Sequence, residues 1–171
     1  MSSDVRDEIS KRRLEALVDA VFAIVMTLLV LEITMPQLSH SEASTELTKE
    51  LVQLWPVFLS YATSFIILGF SWIGHIDRFH FIKRVNRTFL WMTILYLMLI
   101  ALIPFSTALL GEYGEQQVSV IVYGINLFII ASWVNVNWWY ATKNRLLIDG
   151  DSDPSIIRAI SRRYLLLLSC I

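Results

Sequence analysis

The chain has 171 residues, 56% hydrophobic and only 17% charged, with a mean hydropathy of +0.58 and a net charge of −1. Soluble domains carry about 25% charged residues, so this balance argues against a soluble core, and the near-neutral charge gives no signal for nucleic acid. The single cysteine, Cys170, excludes an intramolecular disulfide and a cysteine metal cage.

In chain order, residues 1–12 form a polar lead-in, either frayed or the first turn of the first helix, and a single membrane domain is expected over 13–171. No cleavable signal peptide is expected, because the following apolar run is too long and lacks a small-residue cleavage site. A first span is predicted over 14–35, near the roughly 20 residues a bilayer needs, with Pro36 as its stop. Asp19 lies inside this apolar stretch and Glu32 near its far end. A charge at membrane depth is costly and usually faces a protein interior or a water path. The helix therefore reads as a working part, not a plain anchor.

The loop 37–49 is polar and acidic, and residues 44–47 (STEL) suit the cap of a short helix. A second span is predicted over 51–74, with Trp55 and Trp72 at the two interfaces. Beyond it, His75, Asp77 and His80 resemble a metal cluster, but histidines five apart diverge by about 140° on a helix. An interfacial location fits them better. The third span, 89–110, has no charged residue; Pro104 predicts a kink, with Ser106 and Thr107 placed to repair backbone bonds. A short linker returns the fourth span, 118–141, antiparallel. Its Asn126, Asn135, Asn137, Trp133, Trp138 and Trp139 suit inter-helix hydrogen bonds and belt anchoring. Asp149-Gly150 and Asp153-Pro154 mark a loop, and the run 164–171 reads as an incomplete fifth span. The fold class expected is an all-α, polytopic helical membrane protein with four to five spans covered.

All Lys and Arg residues except Lys49 fall on one side of a four-span zigzag, and Glu42, Glu46, Glu112 and Glu115 fall on the other. The positive-inside rule then places the N-terminus in the cytosol. No Ser-His-Asp order, Gly-rich phosphate loop or paired-carboxylate arrangement appears, so an enzyme is not expected.

Arg13, Asp19 and Thr27, set in RLEALVDAVFAIVMTLLVLEI, resemble the first helix of the transmembrane protein 175 family of endosomal and lysosomal potassium channels, which has shorter prokaryotic relatives. The family pattern is Arg-x-x-x-Phe-Ser-Asp with a Thr eight residues after the Asp; here Leu17 and Val18 stand at the Phe and Ser positions. Trp72-Ile73-Gly74-His75, Arg87 to Trp91, and Ile103-Pro104-Phe105-Ser106-Thr107 extend the likeness over roughly 12–140. The resemblance implies a six-span module, a homotetramer in the cell membrane, and a potassium pore lined by the first helix. It assigns the constriction to Ile24 and ties potassium preference to the Thr27 layer, with K+ as permeant ion and no other metal or cofactor.

At about 100° per residue, Leu17, Ile24, Leu28, Leu31 and Met35 fall within roughly 40° of one line, and Asp19 lies about 140° from Ile24. From the residues alone, such a stripe is first a packing or lipid-facing surface. Under the resemblance, Ile24, Leu28 and Leu31 become successive apolar rings, and such rings can gate by expelling water. No TVGYG-like segment exists, which excludes a carbonyl-lined filter. Asp19 then points to the rear as a structural partner for Arg13, Trp72 or His75. The main rival is a proton-coupled transporter using Asp19, Glu32 and His75. The inverted repeat that often marks carriers is not seen. A third reading is a non-conducting scaffold.

Overall fold

Backbone amides inside a bilayer have no water to bond, so each apolar run must satisfy its own hydrogen bonds, which a helix does. The computed structural model describes residues 3–36, 38, 40–143 and 147, and among them six helices follow in order: α1 (Ser3–Leu31), α2 (His40–Gln53), α3 (Trp55–Phe81), α4 (Arg87–Ala101), α5 (Ile103–Glu112) and α6 (Gln117–Thr142). Four stretches are long and apolar enough to cross a membrane: Lys11–Leu31, Trp55–Phe81, Arg87–Glu112 (α4 with α5) and Gln117–Thr142. The run 164–171, both loop turn signals and Cys170 lie outside the described residues.

Several boundaries differ from expectation. The polar lead-in is helical from Ser3. At the other end α1 stops at Leu31, well before Pro36, and its last turn tightens through Glu32 N–H to Leu29 O (3.3 Å) and Ile33 N–H to Val30 O (3.2 Å). Pro36 has no N–H for the carbonyl four residues back, that of Glu32, and its ring crowds that oxygen, so unwinding starts a turn upstream of the ring itself. The expected start of the second span belongs to α2. The chain breaks at Leu54, and Pro56 sits in the first turn of α3, where its missing N–H costs nothing. α3 then runs on through Phe81, past the expected end at 74. His75, expected at the interface, and Arg78, expected among the basic residues between the second and third spans, are buried on that extension.

The third crossing is broken as Pro104 requires. α4 closes with Leu102 N–H to Leu99 O (3.2 Å), and α5 resumes with Ser106 N–H to Leu102 O (3.2 Å). The carbonyl that Pro104 leaves without its amide, Ile100 O, is met by the Leu102 N–H. Ser106 Oγ instead donates to Ile103 O within α5 (3.0 Å), and the Thr107 hydroxyl reaches across to another helix.

Two apolar clusters fill the bundle. The central one gathers Val18, Phe22, Val25 and Leu29 of α1 with Leu68, Tyr96, Ile100, Ile103 and Ile130. The second joins Leu14, Phe79, Ile82, Phe89, Ala141 and Leu147, which brings the early part of α1 to the end of α3, the start of α4 and the end of α6. Lys83 N–H bonds Leu147 O (2.9 Å) there. Asn86 does two jobs at the same place. Its Oδ1 accepts from Phe89 N–H (2.8 Å) as the N-cap of α4, and its Nδ2 donates to Tyr140 Oη on α6 (2.9 Å).

Candidate pore-lining helix

α1 has two unlike faces. Val18 and Leu29 are fully covered, with Leu14, Phe22 and Val25 nearly so, at the three- and four-residue spacing of one helical stripe. On the other side Ile24 is 57% exposed and Leu31 70%, and Leu17, Leu28 and Met35 are exposed as well. The apolar ridge read from the sequence therefore lies on the part of α1 that the rest of the chain leaves uncovered, together with Asp19, Ala20, Ala23 and Val30. Thr27 lies on the exposed side, and its hydroxyl donates to Ile24 O (2.7 Å).

Asp19, expected at the rear of α1, is itself exposed in the single chain, at the margin of the packed stripe, and is held from one side. Trp72 Nε1–H, on α3, donates to Asp19 Oδ1 at 2.9 Å. The indole is well suited to this, being apolar except for one donor. No hydrogen bond or ion pair joins Arg13 or His75 to this carboxylate among the described residues. Arg13 is exposed nearer the helix start, while His75 turns away and packs its ring on Phe79 (4.1 Å between centroids) and Tyr96 (6.1 Å). Tyr96 in turn lies against Phe22 of α1 (6.2 Å). Glu32 is half-buried in the turn after α1. The His-Asp-His pattern is dispersed: His75 is buried, Asp77 and His80 exposed. No group of three potential metal ligands occurs among the described residues.

Behind α1, polar side chains tie α3, α5 and α6 together, and one joins α6 to α4. Thr107 Oγ1–H donates to Ser64 Oγ (2.7 Å), and Ser64 Oγ shares a hydrogen with Tyr123 Oη (2.9 Å). Asn126 Nδ2 donates to Ser106 Oγ (3.1 Å) and Trp133 Nε1 to Met92 O (2.8 Å). Asn135 instead bonds Ala131 O on its own helix (2.8 Å). Ser64 and Tyr123 escaped the sequence reading. Ser60 and Ser64, four apart in an apolar run, were the available signal, since small residues at that spacing mark close helix contacts. Gly111 supplies the matching gap: a Cβ there would meet Ser60 Oγ at 2.8 Å and Val57 Cα at 3.2 Å.

This arrangement has known counterparts. The family model described as endosomal/lysosomal potassium channel TMEM175 matches residues 13–104, a stretch that holds α1, α3 and the α4–α5 break. A protein of Streptomyces collinus named as a potassium channel is 33% identical over 158 residues, covering 90% of this chain and 75% of that protein. One from Chamaesiphon minutus, also named as a potassium channel, is 37% identical over 156 residues, covering 89% and 76%. A crystal structure titled as a lysosomal potassium-selective channel TMEM175 homolog from Chamaesiphon minutus superposes with a TM-score of 0.82 at 35% identity, over 94% of this chain and 81% of that one. With its four apolar crossings and its matched first helix, the chain is a multi-pass membrane protein that belongs to the TMEM175 family of ion channels.

Proposed function

We propose that this chain is a potassium-preferring cation channel of the cell membrane, in which four copies place α1 around a common axis. One observation carries the reading. The ridge of Leu17, Ile24, Leu28 and Leu31 is uncovered within the single chain, while the opposite stripe of α1 is fully packed. The names of the Streptomyces and Chamaesiphon relatives supply the ion.

In this arrangement Ile24, Leu28 and Leu31 form stacked aliphatic rings with no polar group to hold water, so a narrow neck empties readily and gates by dewetting. Thr27 is the polar exception. Its hydroxyl hydrogen is spent on Ile24 O, which leaves oxygen lone pairs for a partly dehydrated cation. Four hydroxyls replace only part of a hydration shell, so the expected preference for potassium over sodium is modest. Asp19 acts as a positioning residue through Trp72, fixing the rotation of α1 against α3. The basic ends of the crossings set the N-terminus in the cytosol.

The test is single-channel recording of the purified chain in bilayers, where unitary potassium currents are expected. Ile24→Ala or Thr27→Ala should change conductance or the potassium-to-sodium ratio. If neither variant alters either quantity, the assigned gate is wrong. Saturable transport without unitary steps points instead to a carrier, and a monomer by native mass spectrometry removes the fourfold axis.

A further inference from the structure

The buried atoms His75 Nε2 on α3 and Asn137 Oδ1 on α6 have no hydrogen-bond partner among the described residues. Both residues line one cavity, with about 20 Å³ of space for water centres, shared with Arg78, Tyr96 and Trp138. An unpaired buried polar group costs about 1–3 kcal/mol, so two around one void call for an occupant. A void holds one water once it offers roughly 10–15 Å³ of such space and has polar groups to bond. We infer that this cavity is a built site for one water molecule bridging His75 Nε2 to Asn137 Oδ1.

The walls select a neutral occupant. The Arg78 guanidinium on the same wall opposes a cation, and the Asn137 amide oxygen opposes an anion. Water satisfies both atoms in either imidazole tautomer. It donates one hydrogen to Asn137 Oδ1, and it either donates the second to Nε2 or accepts the Nε2–H. The bridge links α3 to α6 across α4. His75 lies one turn beyond Trp72, the residue that holds Asp19, and its ring stacks on Tyr96, which touches Phe22 of α1. The water thus backs the support of the first helix without touching that helix.

A structure of the full chain in lipid nanodiscs, at a resolution that shows ordered water, should reveal one solvent peak within hydrogen-bond distance of both atoms. An empty cavity, a direct His75–Asn137 bond, or a bound ion there overturns the inference. Thermal unfolding supplies an independent arm. Asn137→Leu and His75→Phe should each lower the midpoint by several degrees, because each leaves the other polar atom stranded. The double variant removes both and fills the void, so its loss should be smaller than the sum of the two. Strictly additive losses overturn the bridge.

Discussion

The outer face of α1 and the α3–α5–α6 interface are built on opposite plans. The first is a bare aliphatic ridge; the second is stitched by Ser64, Thr107, Tyr123, Asn126 and Ser106 around the Gly111 gap. In water the roles would be reversed, with aliphatic groups buried and polar ones exposed. In lipid, apolar burial supplies no driving force between helices, so close packing of small residues and hydrogen bonds holds the scaffold. An aliphatic face costs nothing in lipid and is left available for assembly or permeation. Scaffold and working surface are thus told apart by chemistry more than by burial.

Substitutions break or sharpen this contrast in a graded way. The largest effect on folding is expected at Gly111. Gly111→Leu forces a side chain into Ser60 Oγ and the Val57 backbone, and overpacking of this kind costs about 1–3 kcal/mol or more. Thermal melts of the purified protein should show a large loss of stability. Next comes Ser64→Ala, which removes the shared node of two buried bonds and costs about 1–2 kcal/mol. A double-mutant cycle with Tyr123→Phe should show coupling, and its absence would place the network's worth elsewhere. Trp72→Phe keeps the ring and deletes the donor to Asp19. It should cost about 1 kcal/mol of stability and yet alter channel currents, because the rotation of α1 is released. The smallest stability effects belong to the ridge. Ile24→Ala and Thr27→Ala should stay within about 0.5 kcal/mol, since neither removes packing inside the chain. Their effect should appear in conductance and ion ratio. A ridge variant that unfolds the protein, or a Gly111 variant that does not, collapses the distinction.

Much of this architecture was legible from residues. Long apolar runs located four crossings, Pro104 located the break, and helical spacing grouped Leu17, Ile24, Leu28 and Leu31, all of them exposed on α1, although Asp19 is exposed as well. Boundaries were harder where polar groups sit inside a helix. His75 read as interfacial and Arg78 as part of the basic connection because hydropathy reports the residue and not its neighbours; only the bundle end formed by Phe79, Phe89 and Trp138 makes their burial intelligible. Ser64 and Tyr123 were invisible for a related reason. Each is an ordinary residue in its own run, and their pairing exists only once α5, packed against both, brings α3 and α6 within reach of a tyrosine side chain.

The amide of Asn86 carries a mechanical consequence. One side chain both starts the third crossing and grips the fourth through Tyr140. Those two crossings share a common floor, and neither can slide lengthwise past the other while this grip lasts. Any rearrangement that keeps it is a tilt or twist of the pair as a unit, never a piston stroke.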